Sequence, residues 1–161
     1  MTIGTIIDRP EDASRGSFQA IKKIEGLFVN RTRVEGKFED EKGRKRDQIK
    51  VDLEDAVVLE MFEGEDEPDL EDGKFSFYLN YALAGKDKAH QNTFYVKGFL
   101  TSAVALAKAR GIENGSIPEL LNTRVVMEYL PAVPLFKIKR KNEEGEPEEE
   151  VVTGRGWVFS A

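Results

Sequence analysis

One stretch of the chain, TFYVKGFLTSAVALAKARG at residues 93–111, repeats its apolar residues at helical spacing, while most of what surrounds it alternates as strands do. A single helix set among strands must bury one face against a sheet, which leaves few architectures. Val96, Leu100, Ala103, Val104 and Ala107 share that face. Asn92 or Thr93 can cap its start, and Lys108 and Arg110 fall in the last turn before a terminating Gly111. Gly98 weakens such a helix by about 1 kcal/mol against Ala.

Ahead of the helix, the pattern predicts three strands. The first runs from Ile24 toward Phe38, with Gly26 and Gly36 permitting a bend or a bulge. A polar turn, EDEKGRK, centres on Gly43. The second strand alternates through Ile49, Val51 and Leu53, then changes register near Ala56, where a bulge or a separate segment is expected. After an acidic loop, Phe75, Phe77 and Leu79 face one way and Ser76, Tyr78 and Asn80 the other. Beyond the helix, SIPELL reads as a helical turn. TRVVMEYL and LFKIKRK form an extended segment interrupted by Pro131 and Pro134, which suggest a bend or an edge. VVTGRGWVF supplies the last strand, so NEEGEPEEE is read as a hairpin loop turned by Gly145 and Pro147.

The expected fold is mainly β: a five-stranded antiparallel barrel with one helix between strands 3 and 4. At 161 residues this is one domain, covering 18–161 behind an N-terminal arm at 1–17. With no Cys there are no disulfides, thiolate metal sites or thiol nucleophiles. The N-terminus lacks a signal-peptide pattern, and no run of apolar residues is long enough to span a bilayer. A soluble cytoplasmic protein without membrane contact is therefore expected.

Motifs for catalysis are missing. His90 is the single histidine and lies in a polar loop, which disfavours a metal ligand or a triad base. The acids at 63–72 do not meet calcium-loop spacing. Asp52, Glu54 and Asp55 are carboxylates without a placeable second group for metal-assisted phosphoryl chemistry. Neither AGKDK nor GRGW completes a phosphate- or dinucleotide-binding fingerprint. The expectation is a non-enzyme with no cofactor, no metal and no catalytic residue.

Charge is the main functional signal. Residues 52–72 and 143–150 concentrate the acids, so the remainder sums to +11 although the whole carries −6. Arg31, Arg33, Lys37, Arg44, Lys45 and Arg46 cluster on the first hairpin. Lys137, Lys139 and Lys141 share one face of the fourth strand, with Ile138 on the other. Arg155 and Trp157 lie on the fifth. Cations on two segments with nearby rings are what single-stranded nucleic acid requires. Tyr78, opposite the core-facing Phe75 and Phe77, is the better stacking ring; Trp157 either stacks or closes the barrel end. A merely solvated charged face is the competing reading.

In its layout the chain resembles OB-fold single-stranded-DNA-binding proteins of the divergent kind encoded by phages and mobile elements. RTRVEGKFEDEKGRKRDQIKV, KFSFYLN, the helix and the final strand–loop–strand carry the likeness over about residues 24–160. The resemblance implies an OB-like barrel whose groove is lined by the first three strands and by loops 39–44 and 142–149. It further implies low-specificity DNA binding in replication or recombination, with RNA as the other candidate strand, and with replication proteins and further copies of the chain as partners. For a viral chain the compartment is the host cytoplasm. Bacterial members end in an acidic docking tail; this chain ends in RGWVFSA, so recruitment through such a tail is not expected. The alternative is a structural or adaptor protein, such as a virion or complex subunit, docking proteins through the barrel face and acidic loops.

Overall fold

The structure, a computed structural model, describes residues 20–39, 43–65, 67, 68, 70–84 and 86–160; the side chains of Lys37, Phe38 and Leu83 lie outside that description, as does the arm expected at 1–17. Strands β1 (Ile21–Glu39), β2 (Lys45–Met61), β3 (Phe75–Leu83), β4 (Thr123–Lys141) and β5 (Pro147–Ser160) form one antiparallel sheet in the order β3-β2-β1-β4-β5. Between β3 and β4, a π-helical turn (Tyr95–Leu100) runs into helix α1 (Thr101–Ala109), followed by the short α2 (Ile117–Leu120). Five antiparallel strands with a helix between the third and fourth match the sequence expectation. Among the described residues no ladder joins the outer strands β3 and β5, so the sheet is not closed by hydrogen bonds. The two strands meet through rings instead: Trp157 lies 5.4 Å from Phe75 and 5.6 Å from Phe77.

Alternation places Phe75, Phe77 and Leu79 in the core against Ile49, Val51 and Leu53 of β2, as read from the sequence. Phe99 fills the centre, 5.0 Å from Phe159 and 5.5 Å from Tyr95. Burying such a ring contributes about 1.5–3 kcal/mol. The helix face differs from the expected one. Tyr95, Phe99, Ala103, Leu106 and Ala107 are buried, whereas Val104 is 48% exposed and Val96 and Leu100 flank the face. Ala103 and Ala107 stay on the buried face; over the π-helical turn the larger rings of Tyr95 and Phe99 take the place of Val96 and Leu100 against the sheet. The caps are where the sequence put them. Thr93 Oγ1 accepts the Val96 N–H at 3.4 Å. At the other end Gly111, at φ +82°, donates to Lys108 while Ile112 donates to Ala107.

Bulges shape β1. Opposite Gly26, β2 carries extra residues at Asp55 and Ala56, with Asp55 at φ +49°, which is the register change expected near Ala56. A Cβ at Gly26 would fall 3.1 Å from Leu53 Cβ, a tight approach that a glycine relieves. Arg124 of β4 holds the bulge by donating to Asp55 and Glu25, each at 2.9 Å, and these contacts, Glu25 first, raise its pKa. A second slip at Val29, between the Phe28↔Leu53 and Asn30↔Asp52 pairs, reverses which side chains face the core. A third lies around Gly36 at φ +51°.

β4 pairs with β1 only through Lys23↔Glu128 to Phe28↔Thr123, then continues with β5 as a two-stranded ribbon. Register breaks at Leu130/Val133 and Pro134/Phe136 follow the two prolines. The acidic run is corrected here: only Asn142–Glu146 turns, and Glu148, Glu149 and Glu150 belong to β5, as does Pro147. Asn142 makes the turn by accepting the Glu144 and Glu146 N–H groups at 3.0 and 2.9 Å, with Gly145 at φ +79°. Glutamates enter a strand here because bases lie across from them. Lys137 pairs with Glu149 at 3.6 Å, and Arg140 with Glu150. Among the described residues no helix is long and apolar enough to cross a membrane.

Candidate nucleic-acid interface

The ladder registers set out the outer face of β1–β2–β3 in rows: Asn30–Asp52–Ser76, Thr32–Lys50–Tyr78 and Val34–Gln48–Asn80. Tyr78, 52% exposed, is the ring of this face and stands beside Lys50. Around it the polar groups are tied to one another. Ser76 donates to Asp52 at 2.6 Å, Gln48 to Asn80 at 3.0 Å and Asn30 to Thr32 at 3.2 Å, while Lys50 lies 3.6 Å from Asp52. A hydrogen-bonded floor with a projecting ring is suited to stacking against a base.

Arg31 and Arg33 do not join that face. Because of the slip at Val29 they pair with Val51 and Ile49 and so share the core side. Arg31 sits beside the Tyr95 hydroxyl, whose pKa burial pushes up while Arg31 pulls it down. Arg33 is fully engaged. It donates to buried Asp47 at 2.9 Å and to the carbonyls of Lys86 and Asp87, and its guanidinium covers the Tyr81 ring at 4.7 Å. Asp47 also accepts the Gly36 N–H at 2.7 Å. That bond, followed by Arg33, holds its carboxyl below the usual carboxylate range. Arg33 therefore clamps the β1–β2 hairpin to the loop after β3, a structural task the sequence reading did not assign to it.

The clamp gathers further cations. Arg44 and Lys45 are exposed at the start of β2, and Arg46 lines a cleft with Lys86, Lys88 and His90. Lys50, Lys86 and Lys88 were missed in the sequence. The available signal for Lys50 was period two, since it alternates with Ile49 and Val51; Lys86 and Lys88 lie on the loop after β3, where no periodicity marks them. Lys37 lies on β1, and its side chain is outside the description.

The second basic segment is elsewhere. β1 runs on past Phe28 toward its hairpin, and β4 runs on past Glu128 toward its own; the strands being antiparallel, the two tips leave their shared ladder at opposite ends. Lys137, Lys139 and Lys141 share one ribbon face with Glu149, as their spacing predicted. Arg155 is exposed on β5. Trp157 is 4% exposed and packed on Phe75, Phe77 and Tyr129, so it closes the core and is not open to a base. Among the described residues no three carboxylates or imidazoles gather as metal ligands would. No protein-family model, curated protein or solved structure matches the chain.

Proposed function

We propose that the chain is a non-enzymatic binder of single-stranded nucleic acid, DNA in the first instance, acting in replication or recombination. In this reading the sheet is an OB-like barrel whose seam between β3 and β5 is closed by rings, and the strand lies across the outer face of β1–β2–β3. Tyr78 standing exposed beside Lys50 is the observation that carries it. Lys45, exposed at the head of β2, adds a basic side chain near that face. Affinity then comes from phosphate neutralisation and one stacked base, with little sequence preference. Fluorescence anisotropy of a labelled oligo-dT across a salt series tests the proposal: binding should weaken log-linearly with salt, and no binding at low salt sinks it.

A second reading rests on Val57 and Leu59, 54% and 49% exposed on one face of β2. An apolar pair bordered by Glu54 and Glu60 suits docking of another protein, as in an adaptor or virion subunit. Size-exclusion chromatography separates the two. A defined large assembly indifferent to oligonucleotide favours the adaptor.

A further inference from the structure

Where β2 begins and β3 ends, a cleft of about 640 Å³ opens against the loop that leads to the helix. That volume is within the range of small-molecule sites, roughly 300–1,000 Å³. Its charged lining is Arg46, Lys86 and Lys88, with His90 beside them, and among the described residues no carboxylate lines it. Ala82 and Ala89 add a small apolar wall.

The loop is held in place before any ligand arrives. Arg33 binds the Lys86 and Asp87 carbonyls, and Thr93 donates to the His90 carbonyl at 2.8 Å. The Asn92 N–H donates to His90 Nδ1 at 3.1 Å, which ties the ring to the loop backbone. Ordering entropy at the loop backbone is thus already spent.

We propose that this cleft binds a nucleoside monophosphate group, with the phosphomonoester at the exposed Lys86 and Lys88 and the base along Ala82 and Ala89. A phosphomonoester carries about −1.5 to −2 charges at neutral pH, which matches a cluster of cations better than a diester does. A free nucleotide and the 5′-phosphorylated end of a strand share this chemistry. The site deepens the strand-binding reading by placing a terminal nucleotide, and because Tyr78 does not line it, it can be tested apart from that ring.

The experiment is a ¹⁵N-edited NMR titration of the full chain with thymidine 5′-monophosphate, thymidine and inorganic phosphate. Thymidine monophosphate should shift the amides of Ala82, Lys88, Ala89 and Gln91 and bind at least tenfold tighter than either fragment. Lys86→Gln with Lys88→Gln, both exposed positions, should weaken it at least tenfold with Tm unchanged. Inorganic phosphate binding as tightly as the nucleotide, shifts centred elsewhere, or indifference to the lysine variants would each overturn the proposal. Short oligo-dT with and without a 5′-phosphate distinguishes the source. A phosphate-dependent affinity above that of the nucleotide points to a strand end, and one no greater points to the free nucleotide. Tyr78→Ala should leave the nucleotide titration unchanged, so oligo-dT failing to bind while the nucleotide still titrates defeats the strand-binding reading alone.

Discussion

The ring of Phe94 fills the space a side chain at Gly156 would need: a Cβ built there would lie 2.6 Å from the ring. The same ring lies 2.7 Å from the corresponding position at Gly98. Glycines on the helix and on β5 thus admit one aromatic residue at the base of the ribbon. Gly156→Ala should destabilise the protein by about 1–3 kcal/mol through overpacking, with added strain at φ +155°. Phe94→Leu in the same chain should recover part of that loss, as measured by urea denaturation. Strict additivity of the two substitutions would show that the contact is not the cause.

Asp47 sets a pH dependence. Its folded pKa lies below the ordinary value, through the Gly36 N–H first and Arg33 second. A lowered carboxylate pKa contributes stability that is complete above the unfolded pKa, about 3.9, and is lost as pH falls through the folded one. Asp47→Asn should therefore lower Tm at pH 7, and the difference from wild type should shrink as pH falls below the unfolded carboxylate pKa of about 3.9. A difference constant from pH 2 to 7 would remove the carboxylate from the explanation.

Tyr78→Ala should reduce oligo-dT affinity by about 1–3 kcal/mol, roughly 5- to 150-fold, if one base stacks there. Its exposed side chain makes the accompanying change in Tm small. Anisotropy and thermal melting on the same preparation check both halves; equal affinity for the variant would take the ring out of the interface.

These outcomes also mark how far the sequence could be read. Tyr78 was legible because strand alternation depends only on its neighbours, and the helix caps at Thr93 and Gly111 are equally local. The orientation of Arg31 and Arg33 was not. One extra residue at Val29 reverses both side chains, and nothing in NRTR announces the slip. Trp157 was open between stacking and packing until the contacts of β3 with β5 placed it in the core. The glutamates read as loop by propensity, yet the opposing Lys137 and Arg140 make a strand of them. That pairing joins residues a dozen or so positions apart and is invisible to a local pattern.

The ribbon should accordingly be sensitive to charge while the body is not. Glu149→Lys with Glu150→Lys replaces two exposed ion pairs, each worth about 0.2–1 kcal/mol, by repulsion. Amide exchange along Lys137–Val152 should speed up, with little change in global Tm. Unchanged exchange would mean that the backbone ladder alone holds the ribbon.

The outer strands β3 and β5 touch through Trp157 against Phe75 and Phe77, with no ladder between them among the described residues. A backbone ladder fixes its strands about 4.8 Å apart. Ring contacts impose no such spacing. The separation of these two strands therefore follows side-chain size at residues 75, 77 and 157, and a narrower side chain at any of them can draw the strands together without moving either by a residue.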